Sequence, residues 1–370
     1  MNKLLSVSIV TVFLSFVFCF KVYGSAQGEK ILSHRALCLK PNDAIILNAD
    51  LGKRVERERK IHWASTDPGI VSLSKQSISS VTVKALKLGQ CNVTVFADSR
   101  PIASCRIIVD DDGVIKVLAI GNSFSEDALE HYLYDLVKAE GINIIIGNMY
   151  IPGCSIERHW QNASTDAAAY SYRKIVEGKK ETTEKFKISQ AIADENWDYI
   201  SFQQASHFSG IFSTYEQDLP SLIEYVKALN TKDETQYVLH QTWAYSCKST
   251  HDGYRNYNNN QMTMYRSIVC ALLKASSLTG IETIVPVGTA IQNGRTSFVG
   301  DHFNLDGYHL DLQIGRYTAS CTWAKKLLGL NILSNAYYPE KLTLDEILVA
   351  RLSAHYAVIK PNEISPLTGW

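Results

Sequence analysis

Two signatures divide this sequence into an α/β domain on a parallel sheet and, before it, an all-β sandwich. From about residue 113 onward, strand-length apolar runs at 114–120, 142–149, 199–202, 237–241 and 283–287 alternate with segments of helical spacing. That alternation implies a parallel sheet with helices on both faces. Between Glu29 and Asp112 short strands instead follow one another across turns, with no helical period. The predicted divisions are therefore 1–24, 29–112 and 113–370. A hydrophobic content of 46% with 20% charged residues fits a folded protein of this size.

Residues 1–24 combine a basic start at Lys3, an apolar run from Leu4 to Phe20, and small residues from Gly24 to Ala26. This is the pattern of a cleavable secretory signal, too short and wrongly flanked for a membrane span. Cleavage after Gly24 or Ala26 fits equally. Cys19 ends the apolar run where a lipid-bearing cysteine could stand, but the bulky Phe18 before it argues against a lipoprotein. With no other stretch suited to crossing a bilayer, a soluble protein is expected, secreted, periplasmic or on the cell surface. The 37 basic and 37 acidic residues balance, and no basic patch interleaved with aromatics appears, so a nucleic-acid partner is not expected.

In 29–112 the expected strands are Ala44 to Leu47, Ile61 to Trp63, Ile70 to Leu73, Val81 to Ala85, Cys91 to Phe96 and Cys105 to Val109. Asp110-Asp111-Asp112-Gly113 reads as the linker into the next domain, a solvated charged turn rather than a calcium site.

The strand from Val114 ends in Gly121-Asn122-Ser123-Phe124-Ser125, and Leu129, Leu133, Leu136 and Val137 then follow at the spacing of one helix face. Ser123 thus sits at a strand-to-helix junction, where free N–H groups can face a developing oxyanion. Alone, the turn equally suits an ordinary helix cap. Far downstream, Asp306-Gly307-Tyr308-His309 supplies what a serine nucleophile needs: an imidazole to take its proton and a carboxylate to hold that imidazole's tautomer.

Several motifs in this order resemble the SGNH (GDSL-like) hydrolase superfamily, and most closely its bacterial DUF4886 branch. They are Gly121 to Ser125, Gly153-Cys154-Ser155, Trp197 to Gln204, Pro286-Val287-Gly288-Thr289, and Asp306 to His309 followed by Gly315-Arg316-Tyr317. The resemblance spans Val114 to Leu328. It implies a three-layer, flavodoxin-like α/β/α domain, with Ser123 as nucleophile, His309 as general base and Asp306 as its orienting partner. It also implies an oxyanion hole from the backbone N–H groups of Ser123 and Gly153 and a side-chain amide. Superfamily members usually take that amide from Asn; here the position reads Gln203-Gln204, and Gln203, the first residue past the strand, is expected to serve. The earlier segment, through Ile61 to Leu73 and Gly89 to Val95, resembles bacterial Ig-like (BIG2) domains. Such modules act as spacers or contact surfaces, here toward a glycan or a protein.

Other polar and aromatic residues lie near strand ends. Gln204, His159 and Trp243 either shape a substrate pocket or fill space under a loop, and His159 is also conceivable as an alternative base, although no carboxylate stands at useful spacing. Asp301, His302, Asp306 and His309 could be imagined around a metal, but no known ligand spacing is matched and Ser123 would stay unexplained, so neither metal nor cofactor is expected. Seven cysteines outside the signal are scattered, most of them expected to be buried apolar residues, and Cys154 lacks the junction setting of Ser123. The charged segment from Tyr170 to Lys187 reads as a solvated helix or loop, and Thr343-Leu344-Asp345-Glu346 as the capped start of a last helix through Tyr356.

Three functions follow as expectations. The first is a secreted serine esterase acting on ester groups, above all O-acetyl groups of a carbohydrate. The second is a lipase or thioesterase of the same chemistry, against which the polar loop Tyr254 to Asn260 speaks. The third is a non-catalytic glycan-binding protein, against which the intact Ser123, Asp306 and His309 speak.

Overall fold

Val81, Val83 and Ala85 alternate with Thr82 and Lys84, and such period-two patterns build seven strands in the first part of the chain. They are β1 (Ala36–Leu39), β2 (Ala44–Asn48), β3 (Ile61–Ser65), β4 (Val71–Ser74), β5 (Ser80–Ala85), β6 (Gly89–Ala97) and β7 (Arg100–Val109). One sheet has the order β1-β7-β6-β3, with β1 parallel to β7, and the other β2-β5-β4. Leu47, Trp63, Val81, Val83, Val93, Val95 and Ile107 form their common core. The computed structural model describes residues 31–52 and 60–370; the signal expected in 1–24 lies outside them. Strand β1 is too short to have stood out in the sequence.

The second part is a seven-stranded sheet. Its strands are β8 (Val114–Gly121), β9 (Asn143–Tyr150), β10 (Tyr170–Val176), β11 (Lys179–Phe186), β12 (Tyr199–Phe202), β13 (Gln236–His240) and β14 (Thr283–Val285). The order is β11-β10-β9-β8-β12-β13-β14, and β9-β8-β12-β13-β14 are parallel. Counted in chain order, the parallel five run 2-1-3-4-5, a doubly wound arrangement whose switch point lies beside β8, where such sheets bind ligands.

Ten helices occur among the described residues: α1 (Ser123–Leu129), α2 (Leu133–Lys138), α3 (Ile156–Ser164), α4 (Ile188–Asp194), α5 (Ser213–Glu216), α6 (Asp218–Leu229), α7 (Gln261–Thr279), α8 (Val287–Gly294), α9 (Ile314–Leu328) and α10 (Leu344–Ile359). Strand β8 shows why helices cover both faces. Ile115, Val117 and Ala119 join the core under α1, α2, α8, α9 and α10, whereas Leu118 and Ile120 join the core under α3, α4 and α6. The single helix face expected from Leu129 to Val137 is interrupted at 130–132, where Glu130 turns to Asn148 Nδ2 and Lys180 Nζ. The last helix starts as expected, Thr343 and Glu346 exchanging capping bonds, and runs to Ile359.

The segment 170–187 is neither a helix nor a loop. It is the antiparallel hairpin β10–β11, joined through Glu177 and Gly178, both at positive φ (51° and 78°), as a two-residue hairpin turn requires. Tyr170 and Tyr172 face the core, while β11 is an exposed edge strand whose lysines and glutamates blunt it against further pairing.

The linker also differs from expectation. Asp110 is buried, and its Oδ2 lies 3.0 Å from Lys232 Nζ, which also reaches Asp198 Oδ1 at 2.5 Å. Asp198 Oδ2 accepts the Lys116 backbone N–H at 2.6 Å. One buried ammonium thus joins the end of β7 to the starts of β8, β12 and β13. Gln90 Nε2 donates to the Tyr199 hydroxyl across the same junction.

Burial, with the neighbouring Asp110 carboxylate, raises the Asp198 carboxyl above its ordinary value. A folded-state value above that of the unfolded chain means the folded protein holds a proton the unfolded one has lost. This contribution to stability is therefore full below about pH 4 and is lost as the pH rises through the raised folded-state value. In urea unfolding across that range, Asp198→Asn should remove this part of the pH slope. Lys232→Met, which leaves the carboxylates without their cation, should cost about 3–5 kcal/mol.

Candidate active site

The turn after β8 is fixed by Asn122. Its Oδ1 accepts the Phe124 N–H (3.0 Å) as the cap of α1, and its Nδ2 donates to the Cys154 carbonyl (3.0 Å), tying the turn to the loop after β9. Ser125 Oγ reaches both the Asn122 carbonyl and Asn148 Oδ1. Gly121 must be glycine, because a Cβ there would meet Ser125 Oγ at 2.4 Å. Ser123, the first residue of α1, is left half-buried.

Opposite it, His309 Nε2 lies 2.9 Å from Ser123 Oγ, and His309 Nδ1 donates to Asp306 Oδ2 at 2.7 Å. Desolvation would raise the Asp306 carboxyl, but the His309 ring and the backbone N–H groups of Tyr308 and His309 bond to it and hold its pKa below the usual range. An ionised carboxylate at Nδ1 leaves the lone pair on Nε2, so the imidazole can take the serine proton. The three residues chosen from the sequence are thus joined in one hydrogen-bonded chain.

Two backbone donors border this serine. The N–H groups of Ser123 and Gly153 have no partner among the hydrogen bonds of the described residues. Gly153 has φ +60° and lies exposed in the loop after β9.

Gln203, expected as the third donor, is engaged elsewhere. It is 3% exposed, its Nε2 donating to Asn122 Oδ1 and its Oε1 accepting from His240 Nδ1 at 2.7 Å. Burial lowers the His240 pKa to about 3, which keeps that ring neutral and able to donate from one nitrogen only. Gln203 therefore braces the turn from below. Gln204 is no substitute: its Nε2 donates to Thr214, and its Oε1 accepts the N–H groups of Ile156 and Ala205. Being buried and fully bonded, it is not a pocket residue either.

The two other pocket candidates are likewise interior. His159 is fully buried, stacked on Tyr170 with Nδ1 2.9 Å from its hydroxyl, and burial lowers its pKa to about 3, so it is no alternative base. Trp243 has no exposed face. It stacks on Phe124 at 4.1 Å, and its Nε1 donates to the Tyr308 carbonyl at 2.7 Å, so it supports the histidine loop rather than substrate. Burial pushes the Cys154 thiol up to about 12, unsuited to a nucleophile. Asp301 pairs with Arg295 and accepts from Gln261 and the Cys247 N–H, whereas His302 Nδ1 lies 2.8 Å from the Val299 carbonyl in its own loop.

A residue that the sequence did not single out connects the two halves of the site. Asp127, one turn after Ser123 on α1, accepts the Leu310 N–H through Oδ2 (2.7 Å) and pairs with Arg316 through Oδ1 (2.7 Å). It thereby fixes the backbone directly after His309. Its signal was present: Asp127 is four residues from Ser123, on the same helix face. Asp127→Ala removes this link, and should slow labelling of Ser123 by a fluorophosphonate at least about tenfold. Asp127→Asn, which keeps an acceptor for Leu310, should slow it less.

A family model described as a domain of unknown function, DUF4886, matches residues 116–357. A DUF4886 family protein from Bacteroides uniformis, of known crystal structure, is 54% identical, with a TM-score of 0.68 over 69% of this chain and 98% of its own. Two further structures are distant. A Slackia heliotrinireducens protein proposed to be an SGNH hydrolase is 20% identical (TM-score 0.41, 58% of this chain, 99% of its own). The acetylxylan esterase Axe2 from Geobacillus stearothermophilus is 14% identical (TM-score 0.39, 57% of this chain, 93% of its own). None of the curated proteins matches. With the family model covering the part that carries Ser123, Asp306 and His309, and a family member 54% identical, the chain belongs to the DUF4886 family.

Proposed function

We propose that this protein is a secreted serine esterase of the SGNH type, removing ester groups, above all O-acetyl groups, from a carbohydrate. The observation that carries the reading is the hydrogen-bonded chain from Ser123 Oγ through the His309 ring to Asp306. Ser123 Oγ attacks the ester carbonyl as its proton passes to His309 Nε2, and the carbonyl oxygen becomes an oxyanion facing the Ser123 and Gly153 N–H groups. When the tetrahedral adduct collapses, the bond to the alkoxy oxygen breaks and His309 returns the proton to it. A water, deprotonated by the same nitrogen, then releases the acid from Ser123. No step calls on a metal or cofactor.

The carbohydrate preference draws on the superfamily resemblance, on the signal pattern of residues 1–24 and on the Ig-like pattern of the segment 29–112. Residues 29–112 serve in this proposal as an Ig-like spacer or contact module beside the catalytic part at 113–370. No helix among the described residues is long and apolar enough to cross a membrane.

A panel of acetylated and methyl-esterified polysaccharides, aryl acetates and long-chain aryl esters tests the reading. Hydrolysis should be fastest on acetyl esters, and Ser123→Ala and Asp306→Asn should each lower it by at least about a thousandfold. Full activity in Ser123→Ala would refute the assignment of the nucleophile.

A further inference from the structure

The carboxyl ends of the strands give Ser123 two unlike sides. On one side β9 ends in the loop bearing Gly153; on the other, β12 and β13 end in the loops 203–212 and 241–260. The histidine loop is bonded to the second side: Trp243 Nε1 reaches the Tyr308 carbonyl, and the Ser246 N–H reaches the Gly307 carbonyl at 2.8 Å. An ester whose carbonyl oxygen faces Gly153 and whose alkoxy oxygen takes its proton from His309 therefore directs its alcohol part toward β12 and β13.

A row of rings occupies that side. Tyr308 lies 4.2 Å from the His309 ring, His251 stands edge-on to Tyr308 at 4.8 Å, His207 is stacked beside His251 at 5.9 Å, and Phe208 adjoins His207 at 4.0 Å. All four outer rings are half-buried. The row has a built foundation: buried Tyr245 packs against His251 (4.9 Å) and Tyr308 (5.9 Å), with its hydroxyl 2.7 Å from Ser206 Oγ. Burial lowers both imidazoles, His207 and His251, below the ordinary histidine value, which favours their uncharged forms.

The edges of these rings are polar. The Tyr308 hydroxyl, His251 Nε2 and both His207 ring nitrogens have no hydrogen-bond partner among the described residues, whereas His251 Nδ1 accepts the Gly253 N–H. An alkyl chain laid here would strip water from those atoms and return no hydrogen bond, a cost of about 1–3 kcal/mol for each such group. A pyranose ring offers C–H groups to the aromatic faces and hydroxyls to the heteroatoms at their rim.

We propose that Tyr308, His251, His207 and Phe208 form the subsite for the sugar ring of the leaving alcohol. The proposal rests on the esterase reading and adds to it the part of the substrate that is recognised. The acyl group lies away from this row and is not selected by it.

The test compares kcat/KM of the full chain on a mono-O-acetylated methyl xylopyranoside and on ethyl acetate, whose alcohol carries no ring. The combined His207→Ala/His251→Ala variant should lower the ratio of the two at least about tenfold, chiefly through KM on the pyranoside, the equivalent of ~1.4 kcal/mol. His251→Phe, which restores a ring without its nitrogens, should lower the ratio less than His251→Ala. A ratio unchanged in all three variants overturns the subsite, as does a change that follows acyl length instead. Ser123→Ala separates the two levels: loss of ethyl acetate hydrolysis there with an unchanged ratio in the ring variants defeats the subsite alone, whereas retained hydrolysis defeats the esterase reading itself.

Discussion

The bond from the Leu310 N–H to the Asp127 carboxylate is the constraint on which the site depends. Ser123 and His309 are 186 positions apart in the chain, yet their reacting atoms must stay within hydrogen-bond distance. Asp127 is carried by the same short helix as Ser123 and grips the residue after His309, so both residues are tied to one short helix. Arg316, on α9, neutralises the buried carboxylate, and Ser320 on the same helix donates to the Ala128 carbonyl. Desolvation still pushes the Asp127 carboxyl up to about 6, because the guanidinium and the Leu310 N–H only partly offset the loss of water.

Beneath the serine lies a second layer of neutral polar groups, each holding the next. His240 bonds Gln203, Gln203 bonds Asn122, and Asn122 bonds both Phe124 and Cys154. These bonds leave the turn few alternative arrangements, although His240 Nε2 is buried with no partner among the described residues. This accounts for a glutamine at the end of β12. Its longer side chain reaches down and across to Asn122, and the oxyanion donors of the proposed reaction are left to the backbone of Ser123 and Gly153.

Much of this was legible in the sequence where the signal was local. The strand-turn-helix around Ser123 and the three-residue step from Asp306 to His309 are short patterns, and their residues are brought together as the spacing suggested. Direction of a side chain was not legible. Gln203, Gln204, His159 and Trp243 all stand near strand ends, but whether each points into a cleft or under a loop depends on partners far away, such as the Tyr308 carbonyl 65 positions from Trp243. Asp110 misled for the same reason: an acidic run looks solvated until Lys232, 122 positions on, is placed against it. The hairpin at 170–187 was missed because β11, exposed along nearly its whole length, carries no apolar alternation. Only the Glu177-Gly178 turn marked it.

The placement of the charged junction also limits what the first part of the chain can do. Asp110, Lys116, Asp198 and Lys232 lie at the amino ends of β8, β12 and β13, whereas Ser123, Gln203 and the loop from Gln241 follow their carboxyl ends. Strand β8 spans eight residues between the two, about 25 Å at the usual rise. The β-sheet part is thus fastened at the amino ends of these strands, opposite the serine, through a buried ion cluster whose rupture would leave charges without partners. From that position it can hold or orient the part that carries Ser123 relative to a surface or a long polymer, but it cannot wall the site where the proposed reaction would attack an ester bond. In the proposed reaction, selection among substrates then falls to the loops after β9, β12 and β13.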